Sequence, residues 1–146
     1  MSIGVLLPHL GASQASFLAI QEISKLKEDS VLFFEELSSP CLPVRCATIC
    51  INELMSFSGT LITTNIRNTM TAASLVNRKQ VKLIFYVWDL EWLRPGKNDY
   101  LYNLQAYNDV DVLIARHTEH IAPIKNYSNR EPIMIEDFDL EEIMRC

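Results

Sequence analysis

The chain has 146 residues and a formal net charge of −5 at pH 7, with 49% hydrophobic and 21% charged residues. This composition suits one domain with a buried core and argues against an intrinsically disordered chain. An acidic chain without a long basic run is not expected to bind nucleic acid. No apolar stretch approaches about 18 residues and no signal-peptide pattern is present, so we expect no membrane span and a cytoplasmic location.

The chain begins with a predicted strand at residues 2–7, a turn and an amphipathic helix. The helix is indicated by apolar residues at every third position over 17–26. Either Ser13 or Ser16 is placed to cap its N-terminus. Its predicted last turn carries two lysines, which the helix dipole favours, namely Lys25 and Lys27.

Apolar runs broken by a proline-containing loop predict the elements that follow this helix. In order, they are a strand at 30–34, a loop at 38–43, a strand at 44–50, a short helix or turn at 52–57 and a strand at 60–64.

The second half of the chain repeats the alternation of strands and helices. Asn65 is placed as the N-cap of a helix over 66–76, and the apolar run 82–87 predicts a strand buried on both faces. The remaining elements are a loop at 94–99, a helix over 100–107 capped by Asp99, a strand at 110–115, a helix over 118–127 that contains Pro123, a strand at 132–135 and a short acidic tail at 137–145, for which a helix is one interpretation.

Helical crossovers between short apolar strands predict a parallel sheet with helices on both faces. We therefore expect residues 1–146 to form a single α/β domain. Its predicted architecture is a Rossmann-like, three-layer α/β/α domain with a mostly parallel sheet.

Several kinds of site find no support in the sequence. The GxGxxG and P-loop motifs are absent, so no cofactor is predicted, and no GxSxG motif indicates a serine hydrolase. His117 and His120 share a helix face, but their spacing is wrong for a metalloprotease, and a polar helix start is the favoured interpretation. No metal site is predicted, and free thiols are expected at the four cysteines, namely Cys41, Cys46, Cys50 and Cys146.

The turn after the first strand carries His9, Gly11 and Ser13 just before a predicted helix. Backbone N–H groups at a helix N-terminus can hold a phosphate group, which makes these residues candidates for ligand binding. The alternative is structural, with Gly11 making the turn and Ser13 capping the helix.

A second candidate site follows the strand at 82–87, where Asp89 and Glu91 lie between Trp88 and Trp92. Ligands of open α/β sheets bind beyond the carboxyl ends of the strands. The two carboxylates could orient sugar hydroxyls, one could act as a base, and the indoles could stack on a sugar. Alternatively, the tryptophans belong to the core and the acids form helix caps or ion pairs with Arg94 or Lys97.

Five segments, which together span nearly the whole chain, carry a resemblance to a known protein family. They are GVLLPHLGAS, FSGTLITTN, FYVWDLEWL, DVDVLIARHTEHI and PIMIEDFDLEEI. Together they resemble the N-terminal, acceptor-side domain of retaining GT-B glycosyltransferases, which use nucleotide-sugars. FYVWDLEWL in particular resembles glycosyltransferases encoded by bacteriophages, which would place the protein in the host cytoplasm.

The resemblance implies that the domain binds a glycan acceptor, while a second domain holds most of the nucleotide-sugar. It implies that residues 9–12 approach the donor phosphates. It also implies that four residues line the interdomain cleft or its rim, namely Asp89, Glu91, Arg116 and His117. We expect the donor domain to come from a separate chain or a second copy, and we assign no catalytic residue. The alternative is a non-catalytic binding module that kept the fold.

Overall fold

A seven-stranded parallel sheet forms the centre of the protein. The structure is a computed structural model that describes residues 2–26, 29–94, 96 and 99–146. The order of strands across the sheet is β3-β2-β1-β4-β5-β6-β7, and every pairing between neighbours is parallel. The strands are β1 (Ile3–Leu7), β2 (Ser30–Phe34), β3 (Ala47–Cys50), β4 (Gly59–Thr63), β5 (Val81–Val87), β6 (Val112–Ala115) and β7 (Ile133–Met134).

Most of the helices begin at a polar residue whose side chain accepts a hydrogen bond from the backbone N–H three positions later. This geometry satisfies one of the N–H groups that the first helical turn leaves unpaired. The capping residues are Ser13, Asn65, Asp99 and Asp139. The helices are α1 (Gln14–Ile23), α2 (Ile66–Leu75), α3 (Tyr100–Asn108), α4 (Thr118–Ser128) and α5 (Leu140–Met144), with 3₁₀ helices at Ile51–Ser56 and Glu91–Leu93.

The two faces of the sheet bury separate sets of side chains because successive residues of a strand point to opposite sides. In β5, Leu83 and Phe85 belong to the cluster that packs against α2, α3 and α4. Ile84 and Tyr86 belong to the cluster that packs against α1 and α5. The predicted Rossmann-like α/β fold with helices on both faces is therefore confirmed.

The strand order reverses between β1 and β4. From β1 the chain proceeds to β2 and β3 on one side, and from β4 it proceeds to β5, β6 and β7 on the other. The connections that leave the carboxyl ends of β1 and β4 therefore diverge. A crevice opens at such a switch point, where open α/β sheets bind their ligands.

Several predicted boundaries differ from the structure, and three of these differences change how nearby residues are interpreted. The first helix ends at Ile23, so Lys25 lies beyond its last turn, and Lys27 is outside the described residues. The third strand begins at Ala47 rather than residue 44, because Val44 and Cys46 pack against the cluster beside α1. The last strand contains only Ile133–Met134.

Tyr86 joins the sheet to the segment that follows β7. Its buried hydroxyl donates a hydrogen bond to the Ile135 carbonyl at 2.8 Å and accepts one from the Phe138 N–H at 3.1 Å. The Tyr86 and Phe138 rings also meet edge to face, with centroids 4.9 Å apart. Phe138 has a φ of 55°, in the left-handed region, so one side chain holds a turn that the backbone does not favour.

We predict that Tyr86→Phe lowers the free energy of unfolding by about 1–3 kcal/mol, because it leaves two buried backbone groups without this partner. Urea unfolding followed by circular dichroism measures the change. Tyr100→Phe is the control, since Tyr100 is 55% exposed, and we expect a change within about 0.5 kcal/mol. Equal losses in the two variants would contradict a tethering role for the Tyr86 hydroxyl.

Candidate functional site

An open cleft with a volume of about 290 Å³ lies at the switch point. Its walls come from the residues that follow β1, β4 and β5, which the parallel sheet brings to the same edge. Most of the lining residues are polar, and those that matter most for binding are His9, Ser13, Thr64, Asn65, Asp89 and Glu91. Four of these six are candidate site residues from the sequence. Thr64 and Asn65 are not among those candidates, although both directly follow β4.

A chain of hydrogen bonds holds the turn before α1. The Gly11 N–H donates to His9 Nδ1 at 3.1 Å, which leaves the imidazole proton on Nε2. Ser13 Oγ accepts from the Ser16 N–H at 3.1 Å, and Ser16 Oγ donates to the His9 carbonyl at 2.7 Å. His9 and Ser13 therefore reach the cleft in fixed positions.

Ser13 caps α1, as one of the two interpretations of this turn predicts. Gly11 is outside the cleft lining, and its φ is not in the left-handed region. The absence of a side chain matters at this position, because a Cβ would lie only 3.3 Å from His9 Nδ1. Gly11 thus allows the contact that orients His9.

The two carboxylates at the end of β5 have different partners. Glu91 Oε2 accepts a hydrogen bond from the Ile66 N–H at 2.7 Å, at the N-terminus of α2. Asp89 forms an ion pair with Arg94, which also lines the cleft. The helix-cap contact and the ion pair expected from the structural interpretation are therefore both present. Lys97, the other ion-pair partner suggested from the sequence, lies outside the described residues. Both carboxylates still face the cleft.

The two tryptophans pack on opposite faces of the sheet. Trp88 lies beside Tyr86 and Phe138, with ring centroids 5.8 and 6.1 Å away. Trp92 stacks on Tyr127 at 4.2 Å, with the ring planes only 2° apart. Trp88 also lines the cleft, whereas Trp92 is occupied by this stacking.

Arg116 and His117 follow β6, one strand away from the cleft. Arg116 lies over the Trp88 ring, with its Cζ 4.2 Å from the ring centroid, so a cation–π contact connects it to the cleft wall. His117 is exposed and does not line the cleft, and its ring centroid is 5.1 Å from that of His120. The structure therefore brings together His9, Ser13, Asp89 and Glu91, and leaves Arg116 and His117 at the adjoining rim.

His120 has an unusual electrostatic environment. Burial is the largest cause that lowers its pKa, and the neighbouring His117 lowers it further. Asp89 and Glu119 act in the opposite direction, while Arg116 adds to the lowering. Its Nδ1 is buried without a hydrogen-bond partner among the described residues. The neutral imidazole is therefore the favoured form.

Across the described ranges, no three His, Cys, Asp or Glu side chains are arranged to hold a metal ion. The four cysteines are free and partly buried. No helix in the described part of the chain is long and apolar enough to cross a membrane.

Comparisons of the chain with protein-family models, curated proteins and solved structures give no match.

We predict that Glu91→Ala lowers the free energy of unfolding by about 1–2 kcal/mol, because the N-terminus of α2 loses both a hydrogen bond and a favourable charge. Asp89→Ala in the same loop is the control. Its ion pair with Arg94 is largely solvated, so we expect a loss below about 0.5 kcal/mol. Chemical denaturation distinguishes the two, and an equal or larger loss for Asp89→Ala would refute the assigned role of Glu91.

We also predict that His120 titrates below its ordinary pKa of 6.5. The unfolded chain therefore binds a proton at His120 at a higher pH than the folded chain does. As the pH falls below 6.5, this difference lowers the free energy of unfolding. Histidine ring signals followed by NMR give the pKa directly. His117→Asn should raise the pKa of His120, since it removes a nearby positive charge. A pKa that does not respond to this variant would contradict the coupling.

Proposed function

We propose that this chain is a glycosyltransferase-type domain that binds a nucleotide-sugar or a glycan acceptor in the switch-point cleft. The domain acts as the acceptor-side half of the enzyme. A donor-binding domain, supplied by a separate chain or by a second copy, faces it across the cleft.

The observation that supports the proposal most strongly is the composition of the cleft lining. His9 offers an Nε2–H donor, Asp89 and Glu91 offer acceptors, and Thr64 offers both, all at the carboxyl edge of the sheet. Asn65, whose Oδ1 caps α2, adds the N–H donors of its amide. A ligand with many hydroxyl groups needs this mixture of donors and acceptors. The cleft is also open to solvent, so a second domain has room to close over a bound ligand.

The contacts of the carboxylates favour a second candidate, a binding module without catalysis. Glu91 is held by the N-terminus of α2 and Asp89 by Arg94, so neither is placed as an unengaged general base. Such a module would bind the same ligand by the same residues. The two candidates differ only in whether sugar transfer follows when a donor domain is added.

The proposal is tested by NMR titration of the ¹⁵N-labelled chain with UDP-glucose, GDP-mannose and neutral trisaccharides. We expect saturable shifts of the amide signals that border the cleft, namely those of Ser13, Gln14, Ala15 and Asn65. His9→Ala should weaken binding about tenfold, because a directional donor to the ligand is lost.

His117→Ala is the matched control, since this histidine is exposed and outside the cleft lining. We expect this variant to bind the ligand with an affinity within about twofold of that of the unsubstituted chain. Absence of saturable shifts at the cleft with every ligand, or equal effects of the two histidine variants, would refute the proposed site. Sugar transfer by the purified chain as a monomer would refute its dependence on a second domain.

A further inference from the structure

Arg116 directly follows β6 and lies beside the switch-point cleft without lining it. Its guanidinium Cζ is 4.2 Å from the centroid of the Trp88 ring, and Trp88 is itself part of the cleft lining. The Tyr86 and Phe138 rings hold this indole in place, with centroids 5.8 and 6.1 Å away. A ligand that packs against Trp88 in the cleft therefore has a cation next to it.

The charge of Arg116 is not balanced by an ion pair within the described part of the chain. The ion pairs found there involve other cations, and the Arg116 side chain donates no hydrogen bond to a described residue. Among the remaining residues the only acid is Glu28, which is next in sequence to Asp29 at the amino edge of the sheet, whereas Arg116 is at the carboxyl edge. The N–H donors of the guanidinium are therefore available to a ligand.

The carboxylates in the neighbourhood of Arg116 limit the charge that a ligand can carry there. Burial is the largest cause that raises the pKa of Tyr86 and lowers the pKa of His120, and the smaller causes include Arg116 and four carboxylates. Three of the four are exposed and the fourth is paired with Arg94; they are Glu119, Glu136, Asp137 and Asp89. Solvent screens exposed charges, so they do not prevent direct contact with the guanidinium. They do oppose a second negative charge, which favours a carboxylate over a phosphate monoester.

A guanidinium that is held against an aromatic ring suits a planar anion. Its N–H groups form a rigid fork that matches the two oxygens of a carboxylate. The contact with Trp88 restricts the side chain before a ligand arrives, so binding immobilises less of it. Trp88 also offers a sugar ring an apolar surface beside the same fork. The two side chains together therefore match a pyranose that carries a carboxylate.

We propose that Trp88 and Arg116 form a subsite that selects an acidic glycan acceptor, in which Arg116 binds the carboxylate of a uronic or sialic acid. The proposal rests on the proposed function, and it specifies the acceptor in the switch-point cleft as a carboxylated sugar. Trp88 packs against the ring of that sugar, while the sugar hydroxyls meet the polar residues of the cleft.

The test compares matched ligands by NMR titration of the ¹⁵N-labelled chain at constant ionic strength. The acidic probes are the methyl glycosides of glucuronic, galacturonic and N-acetylneuraminic acid. Their neutral counterparts are methyl glucoside, methyl galactoside and the methyl ester of the third probe. At least one acidic probe should bind about tenfold more tightly than its counterpart, because a charge-assisted pair is formed. It should shift the Trp88 indole signal together with the amide signals of Ser13 and Asn65, and glucose 6-phosphate should bind less tightly.

Arg116→Gln should abolish the preference for the acidic probe and leave the affinity for the neutral probe within about twofold. Arg116→Lys should restore the preference only in part, since an ammonium group lacks the planar fork. Arg145→Gln is the matched control. It removes the same charge from a side chain that is 77% exposed at the end of α5, so the preference should stay unchanged. Circular dichroism verifies that each variant is folded.

The possible results separate the subsite from the proposed function. Equal affinities for acidic and neutral probes, or a preference that survives Arg116→Gln, would overturn the subsite and leave the proposed function standing. Shifts at Trp88 and Arg116 without shifts at Ser13 and Asn65 would overturn the proposed function instead. Absence of saturable shifts at Trp88 with all the acidic probes, or tighter binding of glucose 6-phosphate, would overturn the carboxylate subsite.

Discussion

The reversal of strand order between β1 and β4 is the constraint on which the other features depend. Both strands are buried and parallel, and their connections run to opposite sides of the sheet. Because crossovers between parallel strands are right-handed, connections that run in opposite directions pass over opposite faces. The loops that leave β1 and β4 therefore separate, and the residues after them border an opening. The cleft is thus a consequence of topology, and side chains decide only its chemistry.

The loop after β5 gives the cleft a fixed wall. Glu91 binds the first backbone N–H of α2, which places the carboxylate at the positive end of that helix. Asp89 is held by Arg94, and Trp88 packs against Tyr86 and Phe138 on the opposite face from α2. The same contacts that stabilise the loop fix the directions of its polar groups.

Sequence patterns predicted the strands, the helices and most of the caps because these depend on neighbouring residues. The buried run 82–87 and the caps at Ser13, Asn65 and Asp99 are examples. The contacts that shape the site join distant residues, such as Glu91 with Ile66 and Tyr86 with Ile135. No local pattern encodes such a pair, since each depends on which strands become neighbours. For the same reason Thr64 and Asn65 were not recognised as site residues.

The electrostatic environment of the cleft differs between the N-terminus of α1 and the N-terminus of α2, and this difference constrains how a ligand lies in it. The N-terminus of α2 already holds a carboxylate, while α1 is capped by the neutral hydroxyl of Ser13 and has no acidic residue in its first turn. Negative charge on a ligand is therefore less favoured near Glu91 than near the N-terminus of α1, while Asp89 is already paired with Arg94. If a nucleotide-sugar binds, its phosphates face the turn at His9 and its sugar faces the loop after β5. A neutral ligand has no such electrostatic preference.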